Sequence, residues 1–416
     1  MRRGHRSLRK TFNQSTNAYK SSAVIALLLF LCVDLAFRTF LITGHFDRFE
    51  AANHRWTWWQ AKGYKELPYT PDVVLLGSSL LTRVVNEGEA TYLKFPINAT
   101  KHNRLRHLED DVQALTGVPI KTFAFGLGGM HASDAAVIVN GLLREKTPST
   151  IIYTIAPRDF LDNLLEAPNS TEQFGLMSHI SELGELGIHA RLSTSEKALY
   201  YLTELFNKLS AQVNCKYELA TIAERNYRNC LVPILDSRVE KVKDPLSPSR
   251  IGIRTSAFDY PDDLNVLPED PNNVEVSDNL QCYRFCYQPF RPKLYNAQIY
   301  YLDYILRFAQ ERGVKVILVN MPLRKDNLTA MVPNFYDLYK ADVTKCASKY
   351  NAQFVDMFDS NTFTDADFID TVHLTGFGAV KLVDKLAAVV APTIVSSTLS
   401  RGAASKSHLA GQSFTH

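Results

Sequence analysis

The sequence predicts a doubly wound parallel α/β sheet, and three observations carry the prediction. Short runs apolar on both faces recur along the chain, as in DVVLLG (72–77), IKTFAFG (120–126), TIIYTIA (150–156), VKVILVN (314–320) and AQFVDMF (352–358). Helix-length stretches separate them, which is how strands buried on both sides of a parallel sheet read. The composition, 46% hydrophobic and 21% charged, is that of a globular chain and excludes a disordered one. Only one stretch is apolar enough to cross a bilayer, so a multi-spanning channel is excluded as well.

The first 20 residues hold Arg2, Arg3, Arg6, Arg9, Lys10 and Lys20 and no acid. These six account for the whole net charge of +3, and without them the chain carries three more acids than bases. The apolar stretch 21–43 follows, long enough for a spanning helix. Asp34 and Arg38 interrupt it four residues apart, a spacing that lets them pair on one helix face. No small-residue cleavage site follows, which favours an uncleaved signal anchor; a buried core helix with a basic tail and a transit peptide are the alternatives. The positive flank puts the N-terminus in the cytoplasm and the rest of the chain outside it, a single-pass membrane protein with an extracytoplasmic domain.

Residues 44–70 are rich in Trp, Tyr and basic side chains and read as a stalk at the membrane surface. The α/β domain is expected over 71–391, with helices near 101–116, 132–145, 294–312, 336–349 and 376–391 between and after the strands. A large insertion at about 162–293 breaks the rhythm with an amphipathic helical part (183–212), four cysteines and a loop rich in Pro, Asp and Asn. The tail 392–416 is polar and small and reads as disordered. Cys215 with Cys230 and Cys282 with Cys286 are spaced as loop disulfides of an oxidising compartment. Their irregular spacing, with no nearby histidine pair, argues against a metal site, and no motif calls for a cofactor. The slightly acidic ectodomain lacks a basic stripe, which argues against nucleic acid.

Ligands of an open parallel sheet collect beyond the carboxyl ends of its strands, so chemistry is sought there. The first strand runs into Gly77-Ser78-Ser79-Leu80, where a serine is either an exposed nucleophile beside free backbone N–H groups or a helix cap. The second runs into Gly126-Leu127-Gly128-Gly129-Met130-His131, glycines that permit close backbone approach or form a plain turn. His131 is either a cleft residue or a structural histidine. Asp370-Thr371-Val372-His373 precedes the last helix, and an Asp three residues before a His can fold back to fix its tautomer. Arg83 reads as a solvated helix residue, and Tyr295, Tyr300, Tyr301 and Tyr304 as packing against the sheet.

Taken in order, these pieces resemble the SGNH (GDSL-type) esterases and acyltransferases over 71–160 and 314–390. The resemblance implies a flavodoxin-like fold and assigns Ser79 as nucleophile, with Ser78 the neighbouring alternative. It makes Gly129 an oxyanion N–H donor and Asp370 and His373 the rest of a triad. The family's third block, G-x-N-D, reads Ala156-Pro157-Arg158-Asp159 here. The asparagine donor is absent, and Arg158 either replaces it, binds an anionic substrate, or makes an ion pair with Asp159 or Asp162. The anchor and insertion resemble the membrane-bound proteins of this type that assist O-acylation of cell-envelope polymers beside a multi-spanning acyltransferase. The partners so implied are an acylated glycan and such an acyltransferase. The altered third block leaves a second expectation, a catalytically silent scaffold that binds glycan or a membrane partner.

Overall fold

The computed structural model describes residues 22–39, 49, 54–220, 223, 263–358 and 362–412. The chain divides into two compact units, residues 1–52 with 197–243 and residues 53–196 with 244–416.

In the first unit the helix Ser22–Thr39 is long and apolar enough to cross a membrane, with a mean hydropathy of 2.0 and 6% of its residues buried. Arg38 Nε donates to Asp34 Oδ2 at 2.9 Å. The basic tail and residues 40–43 lie outside the described residues.

The second unit is built on five parallel strands, β1 (Val73–Gly77), β3 (Thr122–Gly126), β4 (Thr150–Ile155), β6 (Lys315–Asn320) and β7 (Gln353–Asp356). Their order is β3-β1-β4-β6-β7, with β2 (Ile97–Asn98) and β5 (Asn265–Val266) forming a separate antiparallel pair. Counted along the main sheet alone this is 2-1-3-4-5, the flavodoxin-like order, which reverses direction between β1 and β4. β1, β3 and β4 are buried along their whole length, which is why no polar alternation shows in their sequences. Helix Pro292–Glu311 packs with both Ala132–Ile138 and Phe335–Lys349, and Arg106–Thr116 packs with Gly376–Gln412, so the sheet is covered by two separate groups of helices. Tyr295, Tyr301 and Tyr304 are buried on Pro292–Glu311, while Tyr300 is half-buried and stacks on His189.

Three expectations are corrected. Trp56–Glu66, within the expected stalk, is a helix with Trp56, Trp58 and Tyr64 buried. Trp56 Nε1 donates to the Gly126 carbonyl at 2.7 Å, and Tyr64 packs on Phe123 and Phe125, so the aromatics serve the core. The last helix runs through Pro392 to Gln412 in place of a disordered tail. Ile394 and Ser397 are buried, and Ser397 Oγ meets Thr150 Oγ1 at 2.6 Å, which holds this stretch on the start of β4. Cys282 and Cys286 are free thiols, because one regular helix, Leu280–Tyr287, exposes the first and turns the second inward. Cys215 is buried, and its expected partner Cys230 lies outside the described residues.

Close packing where β1 meets the next helix explains Gly77. A Cβ there would stand 2.0 Å from Thr154 Oγ1 and 2.6 Å from Leu81 Cβ. Gly77→Ala is expected to cost about 3 kcal/mol in urea unfolding, since both contacts come from buried elements with little room to move. A variant of wild-type stability would contradict this packing.

Candidate active site

Ser78 and Ser79 divide the two roles open to a serine at this turn. Ser78 takes the N-cap position of the helix Ser79–Arg83, in extended conformation, and its carbonyl accepts from Leu81 N and Thr82 N at 3.0 and 3.1 Å. Its side chain makes no cap bond. Ser79, at the first helical position, instead holds its Oγ 2.8 Å from His373 Nε2. His373 Nδ1 lies 2.6 Å from Asp370 Oδ2. The three side chains form one hydrogen-bonded relay between residues 294 positions apart.

The Asp-x-x-His loop is fixed from several sides. Asp370 Oδ1 accepts from Val372 N at 2.8 Å and His373 N at 2.7 Å, which curls the loop back on itself. Burial alone would raise the Asp370 pKa, but the histidine and these backbone donors outweigh it and hold the carboxyl below its usual range. Thr371, fully buried, donates Oγ1–H to Asn279 Oδ1 at 2.6 Å and accepts from Asn327 Nδ2 at 2.8 Å. Asn279 precedes the insertion's last helix, so the insertion clamps the histidine loop.

Arg83 is another clamp that sequence reasoning missed. It is not solvated: its side chain is 16% exposed, with Nη1 2.6 Å from Glu87 Oε1 and Nη2 3.5 Å from Glu269 Oε1. Its Nε donates to the Leu374 carbonyl at 3.2 Å, directly after His373. Nothing local in the sequence signals this, because the contact joins residues 291 positions apart.

A small pocket opens at Ser79, lined by Ser78, Ser79, Arg158, Asp159, Tyr283 and Val372 among others. It sits beyond the carboxyl ends of β1 and β4, where the strand order reverses and ligands of such sheets bind. Tyr283 comes from the insertion, whose sequence gave no hint of a place in the site. Arg158 follows β4 on the turn Pro157–Asp159, and its Nε and Nη2 lie 2.9 and 2.7 Å from Asp162 Oδ2. Of the roles open to it, the ion pair with Asp162 is made, and the guanidinium still faces the pocket. Gly129 lies on the turn after β3 with φ +73°, a left-handed conformation that favours glycine, and open space surrounds the position of a Cβ. It is not among the residues lining this pocket.

Behind the pocket lies a buried charge cluster. His131 is 3% exposed, with Nδ1 3.6 Å from Asp134 Oδ2 and Nε2 3.4 Å from Asp162 Oδ2. These separations are long for hydrogen bonds and are better described as ion pairs. Burial works to lower the His131 pKa, but the two carboxylates outweigh it and push it up to about 9. Asp159 moves to about 7, raised mainly by burial against the opposing pull of His131. Its Oδ2 accepts from Ala156 N at 2.8 Å, fixing it beneath the pocket. His131 is therefore a charged structural residue rather than a free base. With its folded pKa above the ordinary 6.5, its contribution to stability is complete below that value and is lost as pH rises through about 9. His131→Gln is expected to cost about 3 kcal/mol at pH 7, as for one partner removed from a buried ion pair. The difference between wild type and variant should shrink by pH 10 in thermal melts; an unchanged gap would contradict the assignment.

No family model matches the chain, and no curated protein matches it. Among solved structures, a protein assigned as an acylhydrolase from Bacteroides fragilis NCTC 9343 aligns with 80% of this chain and 95% of its own length, at a TM-score of 0.32 and 12% identity. At that score the likeness adds nothing about chemistry, and the parallel sheet and the residues at its edge speak for themselves.

Proposed function

We propose that this protein is a membrane-anchored serine esterase or O-acyltransferase of the SGNH type, acting outside the cytoplasm on acyl groups of cell-envelope polysaccharide. The relay from Ser79 through His373 to Asp370, at 2.8 and 2.6 Å, is the observation that carries the reading. Ser79 Oγ attacks an ester carbonyl carbon while its proton passes to His373 Nε2, and Asp370 stabilises the imidazolium that results. The tetrahedral intermediate collapses, its alkoxide leaving group takes the proton back from His373, and the acyl group remains on Ser79. A sugar hydroxyl or water then attacks that ester, with His373 again taking and returning the proton. Backbone N–H groups of Ser79 and Gly129 serve as oxyanion donors in this reading, each worth about 3–4 kcal/mol where such donors have been removed.

The proposed layout is a cytoplasmic tail (1–20), an anchor (21–43) and an extracytoplasmic α/β domain that takes in the helix Trp56–Glu66 at its start and the helix Gly376–Gln412 at its end and carries the insertion (162–293). A multi-spanning O-acyltransferase is the proposed membrane partner. The second reading, a silent scaffold, is favoured by one observation: Arg158 stands where the family has asparagine and spends part of its guanidinium on Asp162. A fluorophosphonate separates the two. The esterase reading expects one covalent adduct on the wild type by intact mass and none on Ser79→Ala; absence of an adduct on both would leave the scaffold.

A further inference from the structure

The helix Thr194–Leu209 has no buried residue. Leu199, Leu202, Leu205, Phe206 and Leu209 are each 51–65% exposed. Their spacing of three and four gathers them on one side, with Glu196, Thr203, Glu204, Asn207 and Lys208 on the other. A contiguous apolar surface of this kind is not left to water in an isolated soluble protein. The helix belongs, from Lys197 on, to the same compact unit as Ser22–Thr39.

The two are joined through the only acid and base within the apolar helix. Asp34, 6% exposed among neighbours that are mostly open, accepts from Ser210 Oγ at 2.7 Å and from Gln212 N at 3.0 Å. Arg38 donates to the Leu209 carbonyl as well as to Asp34. A cation thus meets the carbonyl end of one helix and an anion the amide end of the next, Ala211–Asn214, each with the favourable sign. The join lies in the last turn or so of the spanning segment, one to five residues before Thr39. An anchor crossing with its basic flank inside brings that end to the outer interface.

We infer that Thr194–Leu209 is an interfacial helix that beds its leucine and phenylalanine face in the outer leaflet of the bilayer, pinned there by Asp34 and Arg38. The inference rests on the membrane-anchored reading of Ser22–Thr39. Its occupant is lipid because the apolar face continues that of a helix already suited to hydrocarbon, and because the polar groups at its end are satisfied within the unit.

Full-length protein in phosphatidylethanolamine and phosphatidylglycerol vesicles, with Cys32, Cys230 and Cys282 replaced by serine, tests this by nitroxide labelling. Single labels go on Leu202→Cys and Phe206→Cys, on Glu204→Cys and Lys208→Cys, and on Leu28→Cys as the anchor control. The ratio of oxygen to nickel-chelate accessibility is expected to be several-fold higher at 202 and 206 than at 204 and 208, approaching that at 28. Water-like ratios at 202 and 206 with a lipid-like ratio at 28 would overturn the inference and leave the anchor standing. Protection from both reagents at 202 and 206 would replace lipid by a protein partner. A water-like ratio at 28 would remove the anchor itself, and the inference with it.

Discussion

Ser79→Ala is expected to lower hydrolysis of p-nitrophenyl acetate by about 10⁴-fold or more, the loss seen when the nucleophile of a triad is removed. Urea unfolding should change little, because Ser79 Oγ faces His373 rather than a helix partner. Ser78→Ala is the control. Ser78 caps the helix through its backbone carbonyl, which alanine keeps, so activity should survive far better. Equal losses in the two variants would mean that the turn as a whole, and not one hydroxyl, is needed.

Asp370→Asn is expected to reduce kcat by about 10⁴ while KM changes little. The amide is nearly isosteric and its oxygen can still accept from Val372 N and His373 N, so the loop keeps its shape. What changes is the side facing His373 Nδ1, where an N–H would replace an acceptor and favour the wrong tautomer. A variant retaining most of its kcat would show that Asp370 acts on the loop alone. The sign of its pKa displacement adds a stability signature. A carboxyl held below its ordinary range contributes stability above the usual aspartate pKa and loses it as the pH falls through its lowered value. Asp370→Asn should therefore flatten the acid limb of the unfolding curve.

The sheet was legible because β1, β3 and β4 are buried on both faces, so their sequences are continuous apolar runs that no surface element imitates. Ser79, Asp370 and His373 were legible for another reason: each sits at the end of such a run or beside a turn, where topology places it at one sheet edge. Composition misled where two environments favour the same residues. The aromatic and basic stretch around Trp56 suits a membrane surface, yet its indole donates to a carbonyl of β3. The small polar residues after Ala391 suit a loose tail, yet Ser397 reaches Thr150. Arg83 and Tyr283 were hidden altogether, since their roles depend on Leu374 and on the pocket, contacts that no window of sequence contains.

The separation of 294 positions between Ser79 and His373 also has a temporal meaning. Pairings so distant in sequence form only after the intervening chain has closed, and they form slowly. A chain emerging from its N-terminus exposes Ser79 long before His373 exists, and during that time the serine is an ordinary alcohol. On the proposed reading, reactivity arrives only when the last strand and the loop before Gly376 have docked, with Asn279 and Arg83 closing on that loop from two distant parts of the sequence. If Ser79 is the nucleophile proposed above, the fold thereby acts as its own safety catch: an incomplete molecule cannot acylate itself or its neighbours.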